Sequence, residues 1–475
     1  MSSENLMEEI LTKWSCLTYN RTLVMTDKRF LIHQPRFGAF LPVFLSMRYF
    51  NSYIGLLFLL PMTTLVASPL GFESLVQTAL TNNRDLKAAR FTVWKAKGRL
   101  AQAGKWINPE LELSGFSDVV FRNEGAGAFS LGIAQEFPLT SRLSLAKESA
   151  RLDVLRSLRE IRNHERLLIA KVRTSIFAFL ASVSRAAILA DLLQTANKTT
   201  ALADERFAAG QGSLTEKCLA LVDQRKISHE LDATRLSSEL TLLELKALLG
   251  LEAKEILTLS DTLDSGIRKL DLLTDMNPSI MHRPDVDLLI LGEEKAHLEI
   301  ALAQAEAWEG IRIGIQYTYD RNLDEPEGLG TDNFLGLAVS IPLPVWNQKK
   351  GLLEERTAVL DETRARISAA RLEIENALAS SLIQTKKLKK RLDEFDSQTL
   401  SPIINASEEM TTGFEAGRVE LRDLFAVREQ LGKLRLDRIS LQTQLASALT
   451  DLESTAASHP AIRRNYVIPT SRIDL

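Results

Sequence analysis

The sequence predicts a mainly α-helical protein with a small β part, built from one unit that occurs twice. Three observations carry this. From Leu139 to Ala209 the chain runs 71 residues without glycine or proline, which favours one very long helix. Four other segments alternate apolar with small or polar residues, the period of a strand. Three blocks also recur in the same order. LAQAGKW at 100–106 returns as LAQAEAW at 302–308, LGIAQEFPL at 131–139 as LGLAVSIPL at 335–343, and FAAG at 207–210 as FEAG at 414–417. Their offsets of 202, 204 and 207 define a duplicated unit of about 200 residues; a solenoid would need more copies of a shorter one.

With 475 residues, the chain has room for two or three ordinary domains or one very elongated one. A net charge of −3 gives no reason to expect nucleic acid as a partner. Residues 47–68, MRYFNSYIGLLFLLPMTTLVAS, put Arg48 before an apolar core at Ile54–Leu60 and end on Val66-Ala67-Ser68. That is the layout of a cleaved secretory signal, and the run is too short, and too broken by Pro61, to span a bilayer. Residues 1–46 then read as a gene-model extension, with translation starting at Met25 or Met47. Of the two cysteines, Cys16 precedes the signal, so only Cys218 remains and no internal disulfide forms. No cysteine stands directly after the expected cleavage site to carry a lipid anchor.

The mature chain divides into a first repeat, 69–270, a second, 271–457, and a tail, 458–475. Each repeat follows one plan: a helix (Phe72 to Lys105; Arg283 to Trp308), two short alternating segments, a long helical stretch, a glycine interruption and a return helix. In the first long stretch Leu168, Val172, Ile176, Leu180 and Val183 recur at helical spacing. The matching stretch, Leu352 to Ala416, contains Pro402 and Gly413, where a kink or short break is expected. In IRIGIQYTYD, Ile311, Ile313, Ile315, Tyr317 and Tyr319 point one way and Arg312, Gly314, Gln316, Thr318 and Asp320 the other. Leu335, Leu337, Val339 and Ile341 likewise oppose Gly336, Ala338 and Ser340. Phe129, Leu131 and Ile133 oppose Ser130, Gly132 and Ala134, after a weaker strand in 109–121. Polar, glycine-bearing loops at 123–128 and 324–332 join each pair.

Such strands fit either the wall of an outer-membrane barrel or a soluble sheet packed on helices. An export signal and a rod on the order of 100 Å favour the wall. Four strands cannot close a barrel, and open edges cannot face lipid, so several chains must share it: two give eight strands, three give twelve. Most of the rod then projects from one side of a hydrocarbon core of about 30 Å. The strand ends gather at one pole and the glycine interruptions, where the chain reverses, at the other.

On the segments AGKWINPEL (103–111), QEFPL (135–139), IPLPVWNQKKG (341–351), RFAAGQGSLTE (206–216) and GFEAGRVELRD (413–423), in this order twice over, the chain resembles the TolC-like outer-membrane factor family over about 72–453. Within it, the NPEL and IPLP stretches are most similar to the cobalt-zinc-cadmium type of subunit. The resemblance implies a homotrimer with a twelve-stranded barrel in outer-membrane lipid and an α-helical trans-periplasmic barrel. It also implies a periplasmic adaptor (membrane fusion protein) at the tip and an inner-membrane transporter of the resistance-nodulation-division type. Carried over, the adaptor-docking residues are Phe207, Gly210, Gln211, Gly212, Ser213 and Leu214 at the first turn, and Phe414, Gly417, Arg418, Val419, Glu420 and Leu421 at the second. Glu216 and Asp423 hold the places of the constriction acids. The chain departs from the family pattern in lacking an N-terminal anchoring cysteine and in the extra glycine of QGS.

Three copies of Glu216 and Asp423 at a narrow mouth favour cations. Their mutual repulsion requires pairing, for instance with Arg418 or Arg422, or protonation of some carboxyls. No catalytic constellation, cofactor site or metal site is expected. The histidines His33, His164, His229, His282, His297 and His459 are scattered, His229-Glu230 lacks a second histidine, and GAG (125–127) and GQG (210–212) lack the third glycine of a dinucleotide loop. The expected function is the passive exit duct of a tripartite efflux pump for heavy-metal cations or small toxic compounds. A duct for type I protein secretion and a non-pore periplasmic coiled-coil scaffold are the alternatives.

Overall fold

The computed structural model describes residues 71–118, 125–274, 283–324, 326, 328–416 and 418–460. The expected extension, signal segment and most of the tail, and Gly417 at the second turn, lie outside them.

The first expected helix is two: α1 (Phe72–Asn82) and α2 (Arg84–Gln102). Asn83 separates them because its side chain competes with the helical backbone. Its Oδ1 accepts from the Leu86 N–H (2.8 Å), capping α2, while its Nδ2 donates to the Leu248 carbonyl (2.9 Å). After β1 (Glu110–Ser117) and β2 (Gly127–Phe137) comes α3 (Arg142–Ala208), 67 residues and about 100 Å long. The return helix α4 (Leu214–Leu249) is followed by a short helix that periodicity did not reveal, α5 (Leu263–Thr274). The second half repeats the plan with α6 (Pro284–Ala305), β3 (Ile311–Asp324), β4 (Gly328–Ser340), α7 (Lys350–Phe395), α8 (Ser401–Glu415) and α9 (Leu421–Ala456).

The expected kink near Pro402 is a π-helical turn, Asp396–Leu400, between α7 and α8. Proline supplies no N–H to the preceding turn, and the widened turn absorbs the missing bond. The Ser401 hydroxyl donates to the Asp396 carbonyl (2.8 Å), and Arg438 on α9 clamps the Asp396 carboxylate at 2.8 Å. At Gly413 there is no break; α8 runs through it to Glu415.

The four strands form one antiparallel sheet in the order β1-β2-β3-β4, so the two halves meet through β2 and β3. Register aligns Leu113, Leu131, Tyr317 and Leu335 in one row and Leu111, Ile133, Ile315 and Leu337 in the next. All eight side chains are exposed. The opposite face is mostly small or polar: Glu112, Gly132, Gln316 and Gly336 form one row, and Ser130 and Thr318 share a hydrogen bond of 2.9 Å in the next, where Phe334 lies beyond Thr318 and Phe116 follows one row on. This is the reverse of a sheet packed on helices, whose apolar side would be covered.

The main core lies along the middle of α3. Ile161, Ile169, Val172, Ile176 and Phe177 pack with Phe72, Leu75 and Val76 of α1, Leu245 and Leu249 of α4, Leu270 of α5, and Leu445 and Leu449 of α9. Leu168, Val172, Ile176 and Leu180 are buried as their spacing predicted, but Val183 is exposed. A straight helix drifts off a fixed seam over so many turns, and burial passes to Leu189 and Leu192, which meet Leu231 of α4. The same region holds buried charge. Arg173 on α3 is fully buried, ion-paired with Glu73 (2.7 Å) and Glu453, and lies over the Phe72 ring. Burial lowers its pKa, opposed by the Glu73 charge. Arg166 donates to the Ser454 carbonyl (3.0 Å) and Arg283 to that of Thr455, tying the end of α9 to α3 and α6.

Candidate functional site

The candidate site is the tip, where α3 turns into α4 and α8 into α9. At the first turn the Gln211 N–H donates to the Arg206 carbonyl (2.9 Å) and the Gly210 N–H to that of Phe207 (3.0 Å). These are the paired bonds of a Schellman motif, and Gly210 takes its left-handed position with φ +70°. Ser213 then caps α4, its Oγ accepting from the Glu216 N–H (3.1 Å). The pattern Ser213-x-x-Glu216 is a sequence-level signal for this start.

The second turn repeats the first at an offset of 207. The Arg418 N–H donates to the Gly413 carbonyl (2.8 Å), the bond Gln211 makes to Arg206. Glu420 stands at the N-cap of α9 as Ser213 does at that of α4, but makes no side-chain capping bond. Asp423 then occupies the helical position of Glu216. The extra glycine in QGS has a steric reason. A Cβ on Gly212 would lie 3.2 Å from both the Arg206 Cβ and the Phe207 nitrogen. The equivalent pair in the second turn is Val419 and Gly413, with the glycine on the other partner.

Glu216 and Asp423 thus both stand in the first turn of a return helix, where the helix dipole favours a carboxylate. Among the described residues Arg206 lies within ion-pair range of Glu216, at 3.8 Å with both side chains about 40% exposed, a partner additional to the expected Arg418 and Arg422. Only the assembled turn reveals this, because Arg206 precedes the reversal and Glu216 follows it. Arg422 and Phe425 of α9 close a cavity of about 580 Å³ against Arg206, Glu216 and Leu219, so the two turns are neighbours. Lys217 pairs with Asp204 (3.1 Å) and sits over the Phe207 ring. Leu214 and Phe207 are exposed, as are Gln211, Arg418, Glu420 and Asp423. The backbones of Phe414 and Leu421 lie in α8 and α9. Among the described residues no group of histidine, cysteine, aspartate or glutamate has the arrangement of a metal site.

A sheet with one exposed apolar face and a mostly small or polar opposite face, joined to rods many times its thickness, is the architecture of an outer-membrane channel subunit with a long periplasmic helical extension. Residues 75–251 match the outer membrane efflux protein family. The chain is 22% identical to the cobalt-zinc-cadmium resistance protein CzcC of Cupriavidus metallidurans, over 82% of this chain and 90% of that protein. It superimposes on CusC with a TM-score of 0.65 at 16% identity, covering 81% of this chain and 91% of that one. The open state of the MtrE outer membrane channel of Neisseria gonorrhoeae gives 0.64 at 16% identity, over 80% and 88%. Residues 75–251 thus carry an outer membrane efflux protein domain, and most of the chain has the fold of these outer-membrane channels.

Proposed function

We propose that three copies of this chain form the passive exit duct of a tripartite efflux pump. The observation that carries this reading is the four-stranded sheet with one exposed apolar face, an opposite face that is mostly small or polar, and an edge strand on each side, β1 and β4. Alone it leaves unpaired backbone groups in lipid; three copies make a closed twelve-stranded barrel. The two repeats, 69–270 and 271–457, then supply alternate helices to the periplasmic barrel.

In this reading the tip residues Phe207, Gly210–Leu214, Phe414 and Gly417–Leu421 meet a periplasmic adaptor, and an inner-membrane proton-driven transporter supplies the energy. The chain itself performs no catalysis. Its likeness to a cobalt-zinc-cadmium resistance protein favours divalent metal cations as cargo, with small toxic compounds the wider class. Glu216 and Asp423 contribute up to six carboxylates to the mouth, and Arg206 offsets part of that charge. The ring therefore favours cations without holding any one ion.

Single-channel conductance of the detergent-solubilised protein in a planar bilayer tests this. Wild type should give a small cation-preferring conductance, and Glu216→Gln/Asp423→Asn should change its size or selectivity. Conductance indifferent to both substitutions moves the constriction elsewhere; failure to insert removes the duct.

A further inference from the structure

The chain leaves a large aromatic surface uncovered where the sheet meets the helices. Trp346, in the segment between β4 and α7, is 95% exposed, and Ile341, Leu343 and Val345 beside it are exposed too. At the same end of the sheet, Trp106 and Ile107 precede β1 and are also exposed, with the Trp106 ring edge-on to Phe137 at 5.5 Å.

Strand direction decides what these two surfaces can meet. β1 and β3 run one way, β2 and β4 the other. Adding the β1 of a second copy to the free edge of β4 keeps the antiparallel alternation only if its Glu110 end lies beside Ser340. That brings the segment following β4 in one copy next to the segment preceding β1 in the next. Within one chain the two segments hang from opposite edges, three strand spacings or about 14 Å apart. Charge agrees with this pairing. Arg312 is shared between Glu110 (2.6 Å) and Glu112, and the segment after Trp346 ends on Lys349 and the exposed Lys350, a further cation for these two carboxylates.

We infer that residues 341–350 of one copy dock on residues 106–112 of the next, with Trp346 against the partner subunit's Trp106 and Lys350 near the partner subunit's Glu110 and Glu112. This seam would seal the base of the barrel at the point where each strand edge changes owner. It rests on the trimer proposed above. The contact is heterologous, so each copy gives one surface and receives the other.

Disulfide trapping tests it in the full chain with Cys16→Ser/Cys218→Ser. Oxidised Trp106→Cys/Trp346→Cys should run as covalent dimers and trimers that reductant returns to monomer, and neither single variant should. Ser117→Cys/Ser340→Cys, on the same edges but about 25 Å apart in this alignment, should not cross-link. Should loss of the tryptophans prevent assembly, Asn108→Cys/Asn347→Cys probes the same segments with both rings kept. A trimer by native mass spectrometry with no cross-link in either pair overturns the seam and leaves the duct standing. Quenching of Trp346 fluorescence by brominated-chain lipid in such a trimer would assign the surface to the bilayer instead. Absence of any trimer overturns the proposed function and the seam together.

Discussion

Gly413 lies directly against Val419: a Cβ added to Gly413 would come within 2.7 Å of Val419 Cγ2. The equivalent positions of the first turn are Arg206 and Gly212, so each tip turn keeps one glycine in the pair, on opposite partners. Gly413→Ala should therefore loosen the end of α8 by about 1–2 kcal/mol, although alanine in an open helix would help it. Val419→Gly in the same chain should restore most of the loss. Amide exchange in the last turn of α8 reads both, since a local change need not move global unfolding.

The two faces of the sheet make opposite predictions. Leu335 lies in an apolar row with Leu113, Leu131 and Tyr317, and Leu335→Arg should cost about 2–4 kcal/mol at mid-bilayer and reduce membrane-inserted protein. Gln316 lies on the opposite face between Gly132 and Gly336. Gln316→Arg should insert normally and shift ion preference toward anions in bilayer recordings.

Arg173 is the charge that the core tolerates least without its partners. Arg173→Met leaves the buried Glu453 unpaired and should cost about 3–5 kcal/mol in denaturant unfolding of the solubilised protein. Adding Glu453→Leu should recover most of it, because an apolar pair of similar volume removes the stranded charge. If the double variant is no better than the single one, the pair is not the source of the cost.

Asp285 makes part of the stability acid-sensitive. Burial raises its pKa, but the hydrogen bond from Arg283 and the charges of Arg283 and Arg166 outweigh this and hold it below the usual aspartate value. A depressed carboxylate contributes stability that is complete above its unfolded pKa of about 3.9 and lost as pH falls through the lower folded value. Asp285→Asn should therefore melt lower than wild type by a constant margin from pH 7 to about 5. Below about pH 4 the gap should narrow; a gap independent of pH would assign the loss to packing.

Much of this protein was legible as sequence because its elements obey local rules. The glycine-free run from Leu139 to Ala209 became α3, the alternation in 311–320 became β3, and Gly210 marked a left-handed turn that other residues strain to adopt. What escaped were competitions whose outcome depends on distant partners. The Asn83 break is held by the Leu248 carbonyl, and Pro402 was absorbed by a π turn that Arg438 clamps from another helix.

The candidate site divides in the same way. Its positions, Glu216 and Asp423 in equivalent first turns, follow from the internal repeat, since the tip sequence duplicated at an offset of 207 makes the same bond across the reversal, Gln211 to Arg206 and Arg418 to Gly413, and the same helix start. Its electrostatics do not. Arg206 reaches Glu216, and Arg422 joins the same cavity, only because the chain reverses and a second hairpin packs beside the first. Sequence by itself determined the duplicated plan, the period of each element and which strand face is apolar, all set by neighbours a few residues away. Tertiary structure alone decided that β2 joins β3 across the halves, that this apolar face stays uncovered, and which charges meet, because those depend on groups up to about 290 residues apart in the chain arriving within a few ångströms.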